Sequence, residues 1–329
     1  MALHTAQEMR NPIASLLLFC FLSFLPFPHP AQAVDFKTDL SLSTGYRMDD
    51  LNWNIAGNLS GSNPNVLSEL TWSDLETLQV TAAGRALVKK WLYLRGSLGY
   101  GYTFLGDNQD SDFDGNERTQ EYSRSNNSAD GGSVLDAVVG IGYQFEVLSR
   151  KLKLIPLIGY SYHEQNLTMT DGFQSISTPA HVPSTPPYGP LSGLDSHYDT
   201  KWMGPWLGID LCFEITDKVT LSGSFEYHWA NYEAEGDLNL RNTLVHPKSF
   251  EHEADGEGFL ITLGAEYILT GPWSLNAAFT YQRWSTDAGL DRLYYAGGSV
   301  AETRLNEVNW DSWALMLGIV YHFAQKASP

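Results

Sequence analysis

The chain has 329 residues, and its 38 acidic and 20 basic side chains give a formal charge of −18. That excess of negative charge argues against nucleic acid and bare phosphate surfaces as partners and favours cations or basic peptides, and the absence of a Gly-rich phosphate loop leaves no expectation of nucleotide use. Cys212 is the one cysteine beyond the N-terminal leader, which excludes an intrachain disulfide and leaves it a packing role.

Arg10, the apolar run Ile13-Ala14-Ser15-Leu16-Leu17-Leu18 and the small-residue site Ala31-Gln32-Ala33 predict a signal peptide over residues 1–33. No later segment supplies the roughly 18 uninterrupted apolar residues of a transmembrane helix, so a membrane-embedded chain must cross as strands. The pattern that follows predicts a β-barrel over 34–323 and a short tail over 324–329.

The first strand is expected near 36–55, followed by a polar loop from Ala56 to Asn65. Strands near 66–87 and 91–109 come next, joined by the short turn Lys89-Lys90. In the third, Leu92, Leu94, Leu98, Tyr100, Tyr102 and Phe104 share one face, while Tyr93, Arg95, Ser97 and Thr103 share the other. One face suits lipid and the other a wet interior.

The second loop carries Asp110-x-Asp112-x-Asp114-Gly115, with Glu121 closing the span. That spacing matches the calcium loop of an EF-hand, in which short carboxylates on alternate residues converge on one hard cation. The expected calcium ligands are Asp110, Asp112, Asp114, the Asn116 carbonyl and Glu121; the alternative is a solvated acidic loop.

Strands near 131–147 and 152–170 lead to a third loop from Asp171 to Thr200, stiffened by Pro179, Pro183, Pro186 and Pro187 and expected to lack a packed core. Strands near 198–215, 219–236, 250–269, 273–287 and 305–323 complete the set, and the last ends on Tyr321-His322-Phe323. Asp136, Asp210, Glu214, Glu226, His228, Glu266 and His322 lie opposite the apolar faces, where they are expected to pair or hydrate in a lumen.

The fold class is therefore all-β, a ten-stranded antiparallel transmembrane β-barrel of an outer membrane, with lipid as its first partner. Both termini and the short turns lie on the inner side, and five long acidic loops face outward. Strands near twenty residues exceed what a tilted strand needs to cross a bilayer, so the barrel projects and its rim is where a ligand is expected. A ten-stranded ring has a narrow interior, expected to be plugged, which leaves a small channel as a secondary reading.

With ten strands placed, the chain resembles the omptin family of outer-membrane barrels, whose members include aspartate/histidine endopeptidases. The resemblance covers nearly all of the mature chain. Its firmest stretches are Val66-Leu67-Ser68-Glu69-Leu70-Thr71-Trp72 and Lys201-Trp202-Met203-Gly204-Pro205-Trp206, running on to Ser224-Phe225-Glu226-Tyr227-His228-Trp229. It implies an Asp-x-Asp pair at the rim after the third strand, matched by Asp110-Ser111-Asp112, and an Asp-x-His dyad after the seventh.

The dyad position falls on Asp237-Leu238-Asn239, with Asn where the base is expected. Asn takes no proton from water, so the expectation is a non-proteolytic barrel whose acidic loops bind calcium or an extracellular ligand. The alternative is an endopeptidase built on Asp110, Asp112 and Asp237 with a displaced histidine, His252 or His246, oriented by Glu251 or Asp255. The first loop also lacks the Glu of the family's basic-specificity pocket, and Tyr162 and Glu164 stand where the resemblance implies the lipopolysaccharide-binding Glu and Arg.

Overall fold

The computed structural model describes residues 36–148, 151–178 and 185–323, so the expected signal peptide and tail lie outside the described residues. These residues form one antiparallel sheet of 13 strands. In chain order they are β1 (Phe36–Ile55), β2 (Ser68–Val88), β3 (Leu92–Gly115), β4 (Thr119–Ser128), β5 (Ser133–Tyr143) and β6 (Phe145–Val147). They continue with β7 (Leu152–Ser177), β8 (Gly189–Thr216), β9 (Val219–Asp237), β10 (Phe250–Ile268), β11 (Trp273–Thr286), β12 (Gly289–Tyr294) and β13 (Val300–Phe323).

β4, β5 and β6 are segments of one arm between β3 and β7, and β11 and β12 are segments of another between β10 and β13. β1 pairs with β13 from Thr38↔Phe323 to Ile55↔Leu305, which closes a ring of ten arms as expected.

Alternation decides which face meets lipid. Tyr100, Tyr102, Val139, Ile141, Leu207, Leu263, Leu315 and Leu317 are exposed on the outer wall. Aromatic pairs, each with at least one exposed ring, bound this band. At the inner end lie Trp91–Tyr143 and Trp273–Tyr321, with ring centroids 5.5 and 4.8 Å apart. At the outer end lie Tyr46–Trp313 at 5.5 Å and Tyr227–Trp229 at 5.1 Å. The span between the two girdles agrees with the roughly 9–11 residues a tilted strand needs.

The arms continue far above the outer girdle. β7 has 26 residues and β8 has 28, more than twice the crossing length. Two expected loops are strand for much of their length: β3 runs through Asp110 to Gly115 and turns directly into β4, and β7 and β8 take up most of 171–200. Asp110 pairs with Leu70 on one edge and Ser125 on the other. Pairing on both edges satisfies the backbone groups and overrides the low strand propensity of Asp, Asn and Ser. Residues 179–184 of the third loop lie outside the described residues.

Inside the membrane band the lumen is filled by ion pairs that cross it. Arg47 of β1 reaches Asp136 of β5 at 2.5 Å, and Asp136 also meets His163 at 2.7 Å. Arg85 of β2 reaches Glu266 of β10 at 2.9 Å; Arg95 of β3 reaches Glu226 of β9 at 2.8 Å and Asp210 at 3.0 Å. His322 lies between Asp39 and Glu266 at 2.7 and 3.1 Å. A cavity of ≈ 360 Å³ lies among these side chains. The lumen acids expected from the sequence are therefore paired, as charges held away from bulk water must be.

Trp206 of β8 is buried against Gly140 and Gly159, where an added Cβ would come within 2.7 and 2.4 Å of the indole. Glycine at these two positions lets the ring lie on the opposing backbone. The Arg95 guanidinium stacks over the same indole at 4.8 Å.

Above the ion pairs sits a buried aromatic layer. Trp284 stacks on Trp310 at 5.6 Å, and Trp72 of β2 stacks on Tyr198 of β8 at 5.4 Å. Trp202 packs against Tyr232 at 4.5 Å. The Trp72–Tyr198 contact joins arms that are not neighbours in the ring, so the layer bridges the interior below the rim.

Candidate functional site at the outer rim

The sequence elements that point to chemistry meet at the mouth. Asp110 and Asp112 alternate with Ser111 near the top of β3, on the face shared by Leu70, Ser123 and Ser125. Asp112 is buried, and its Oδ2 stands 3.9 Å from a guanidinium nitrogen of Arg241. Arg241 comes from the connection between β9 and β10. Two successive turns shape that connection: the Arg241 amide donates to the Leu238 carbonyl, and the Leu244 amide to the Arg241 carbonyl. Buried Leu244 then bridges to Tyr295, and the Val245 amide donates to the Tyr294 carbonyl.

Burial first, and then the Asp112 charge, push the Asp110 carboxyl up to about 7, with Arg241 opposing. Its Oδ1 is buried and has no hydrogen-bond partner among the described residues. Burial works against the Arg241 charge, but Asp112 and Asp110 outweigh it and hold its proton more firmly than usual. Burial and Asp112 together raise the Tyr122 hydroxyl. The pair thus forms a pocket of negative potential answered by the chain's own arginine.

Asp237 ends β9 on the opposite arc of the rim. His246 Nδ1 contacts its Oδ1, and the Ser249 hydroxyl lies 3.2 Å from the same oxygen. His246 is part-exposed. Of the two histidines expected as displaced bases, His246 is the one that reaches Asp237.

His252 is not at the rim. On β10 it points into the aromatic layer, where Nδ1 lies 2.7 Å from the Tyr198 hydroxyl, Nε2 lies 3.2 Å from Asp291, and Trp53 stands edge-on at 4.8 Å. The expectation of a catalytic His252 is corrected: it is fully buried among packing groups. Glu251, offered as an orienter, is taken by Arg292 at 2.9 Å, Lys248 and Tyr294, and Asp255 shares Glu251's strand parity.

Asn239 is committed on every side. Its Oδ1 accepts from the Asp195 amide and the Ser196 hydroxyl, both at 3.0 Å, and its Nδ2 donates to the Gly193 carbonyl at 2.8 Å. It ties the β9–β10 connection to β8 and has no spare atom aimed at the acid pair.

The calcium ligands do not assemble. An extended strand separates Asp110 from Asp114 by roughly 13 Å, whereas calcium oxygens sit about 2.4 Å from one ion. A bulge after Asp112 shifts Glu121 out of register, and Arg124 grips it at 2.7 and 2.6 Å. The Asn116 carbonyl accepts from Thr119, and its side chain accepts from the Asn65 amide. Among the described residues no group of three or more His, Cys, Asp or Glu side chains is placed to hold a metal. The strand pairing that extends β3 is what pulls an EF-hand spacing apart.

Sequence reasoning missed Arg241. The available signal was an arginine in the same connection as the dyad position, four residues beyond Asp237.

A family model described as Protochlamydia outer membrane protein matches residues 41–323. Among solved structures, the outer membrane protease OmpT from Escherichia coli is similar with a TM-score of 0.71, at 13% identity over 89% of this chain and 99% of that chain. The translocator domain of the autotransporter NalP from Neisseria meningitidis gives a TM-score of 0.35 at 10% identity, over 95% of each chain. No curated protein sequence matches. At such identities the likeness to OmpT is one of fold alone.

Proposed function

We propose that this outer-membrane β-barrel, which belongs to the Protochlamydia outer membrane protein family, is a non-proteolytic member of the omptin-like fold whose rim binds an extracellular ligand. One observation carries the reading: Arg241 stands against Asp112, where a protease of this fold needs an acid pair free to hold water. Asn239 supports it, since a side-chain amide locked by three hydrogen bonds supplies no base. The acidic mouth favours a basic peptide as ligand, because only a cation is attracted into a pocket already rich in carboxylates.

The test is binding and cleavage measured together on refolded protein. Arginine-rich peptides should bind more tightly than glutamate-rich ones, with affinity falling as salt rises, and a degenerate peptide library should stay intact. Equal binding of both peptide classes would overturn the ligand assignment.

A second reading has one observation in its favour, the contact between Asp237 and His246. In it, His246 replaces the missing base and the chain is an endopeptidase. Cleavage of any library peptide, abolished by both Asp112→Ala and His246→Ala, would establish this reading and end the first.

A further inference from the structure

The inner end of the barrel carries the opposite charge from the rim. Lys37, Lys89, Lys90, Lys151 and Lys218 are exposed there, and Lys153 is half-buried beside them. The carboxylates at that level are Asp217, Glu146, Glu214, which pairs with Lys153 at 2.6 Å, and Asp39 and Glu266, both held by Arg85. Among the described lysines, only Lys201 and Lys248 lie at the outer end, where acids dominate.

One further fact places these amines at a membrane boundary. They flank the inner aromatic girdle directly: Lys37 follows Phe36, and Lys90 precedes Trp91, whose ring stacks near Tyr143. Aromatic rings at this level mark headgroup depth, and a lysine stem there extends its amine toward the phosphates. The turn between β2 and β3 also holds Lys89 and Lys90 at φ 54° and 66°. Asn-Gly makes such a turn at lower backbone cost, so the turn itself does not call for lysine.

We infer that these lysines form a collar that binds the phosphate groups of anionic phospholipids in the inner leaflet, fixing the depth and orientation of the barrel. An anionic leaflet attracts basic groups just outside the hydrocarbon, within a Debye length. The rim, rich in carboxylates, is repelled by the same surface, so the two ends discriminate between leaflets in opposite senses.

The experiment compares full-length mature protein in phosphatidylcholine vesicles with and without phosphatidylglycerol, reading the thermal midpoint by heat-modified gel mobility. The midpoint should rise with phosphatidylglycerol, and high salt should remove the gain. The combined variant Lys89→Gln, Lys90→Gln, Lys151→Gln and Lys153→Gln should lose the gain, while Lys201→Gln with Lys248→Gln should keep it. A midpoint indifferent to phosphatidylglycerol, or a gain that survives the four inner substitutions, would overturn the collar. So would binding of soluble polyglutamate without any lipid effect, which would make the partner an acidic polymer. Should the four-site variant fail to insert, the wild-type salt titration decides alone, since a salt-insensitive gain is not electrostatic.

Discussion

Arg241 stands 3.9 Å from Asp112, and this contact ties the β9–β10 connection to the top of β3 across the barrel mouth. It places a positive charge beside a carboxyl pair that cannot comfortably hold two negative ones. The pair should therefore reveal itself in the pH dependence of stability.

Asp110 releases its proton near 3.8 when unperturbed and at about 7 in the folded barrel. Between those values the folded chain binds the extra proton, so this carboxyl contributes stability below the lower value and loses it as pH rises through the upper one. Asp110→Asn should consequently melt roughly 2–4 °C higher than wild type at about pH 8 and level with it at about pH 4. A difference that grows on acidification would contradict the assignment.

Arg95 joins Glu226, Asp210 and the Trp206 face in one arrangement. Arg95→Met strands two carboxylates inside the wall and should cost about 3 kcal/mol in denaturant-induced unfolding from lipid, within the range for breaking buried pairs. Adding Glu226→Gln and Asp210→Asn should recover part of that loss. Recovery is the diagnostic result, because mere loss of arginine packing would not be repaired by neutralising its partners.

Gly159 lies under the Trp206 indole, and a Cβ there would come within 2.1 Å of the Val139 carbonyl oxygen. Gly159→Val should abolish the folded, heat-modifiable species. Gly223→Ala, whose new methyl meets nothing nearer than 3.9 Å, should fold like wild type.

His252 and His246 should separate cleanly. His252→Ala removes a partner of both Tyr198 and Asp291 inside the aromatic layer and should destabilise by about 2–4 kcal/mol. His246→Ala, at the part-exposed mouth, should shift unfolding by less than about 1 kcal/mol. Equal effects would mean that His246 is also a structural residue.

Much of the barrel was legible because lipid and lumen impose a strict two-residue period, and the arm count followed from it. The rim was less legible for a physical reason. Above the membrane neither face meets hydrocarbon, so Asp110, Ser125 and Asn126 lose the period that marks a strand and read as loop, though neighbouring arms still pair with them. The same blindness made Asp110 to Glu121 resemble a calcium loop. Histidine roles were also hidden, since His246 and His252 are near neighbours in the chain but point to different layers. Nothing in one strand reports which arm lies across the lumen, so the partners of Arg47, Arg85 and Arg95 were out of reach.

Those three arginines have a mechanical consequence. Each spans the interior between arms that are not adjacent, like a spoke joining opposite parts of a hoop. A hydrogen-bonded ring alone can flatten into an ellipse with little change in its ladder, but here flattening must stretch or crush a charged contact. Squeezing by the surrounding bilayer is therefore resisted from within, at the level where the three contacts cross the lumen.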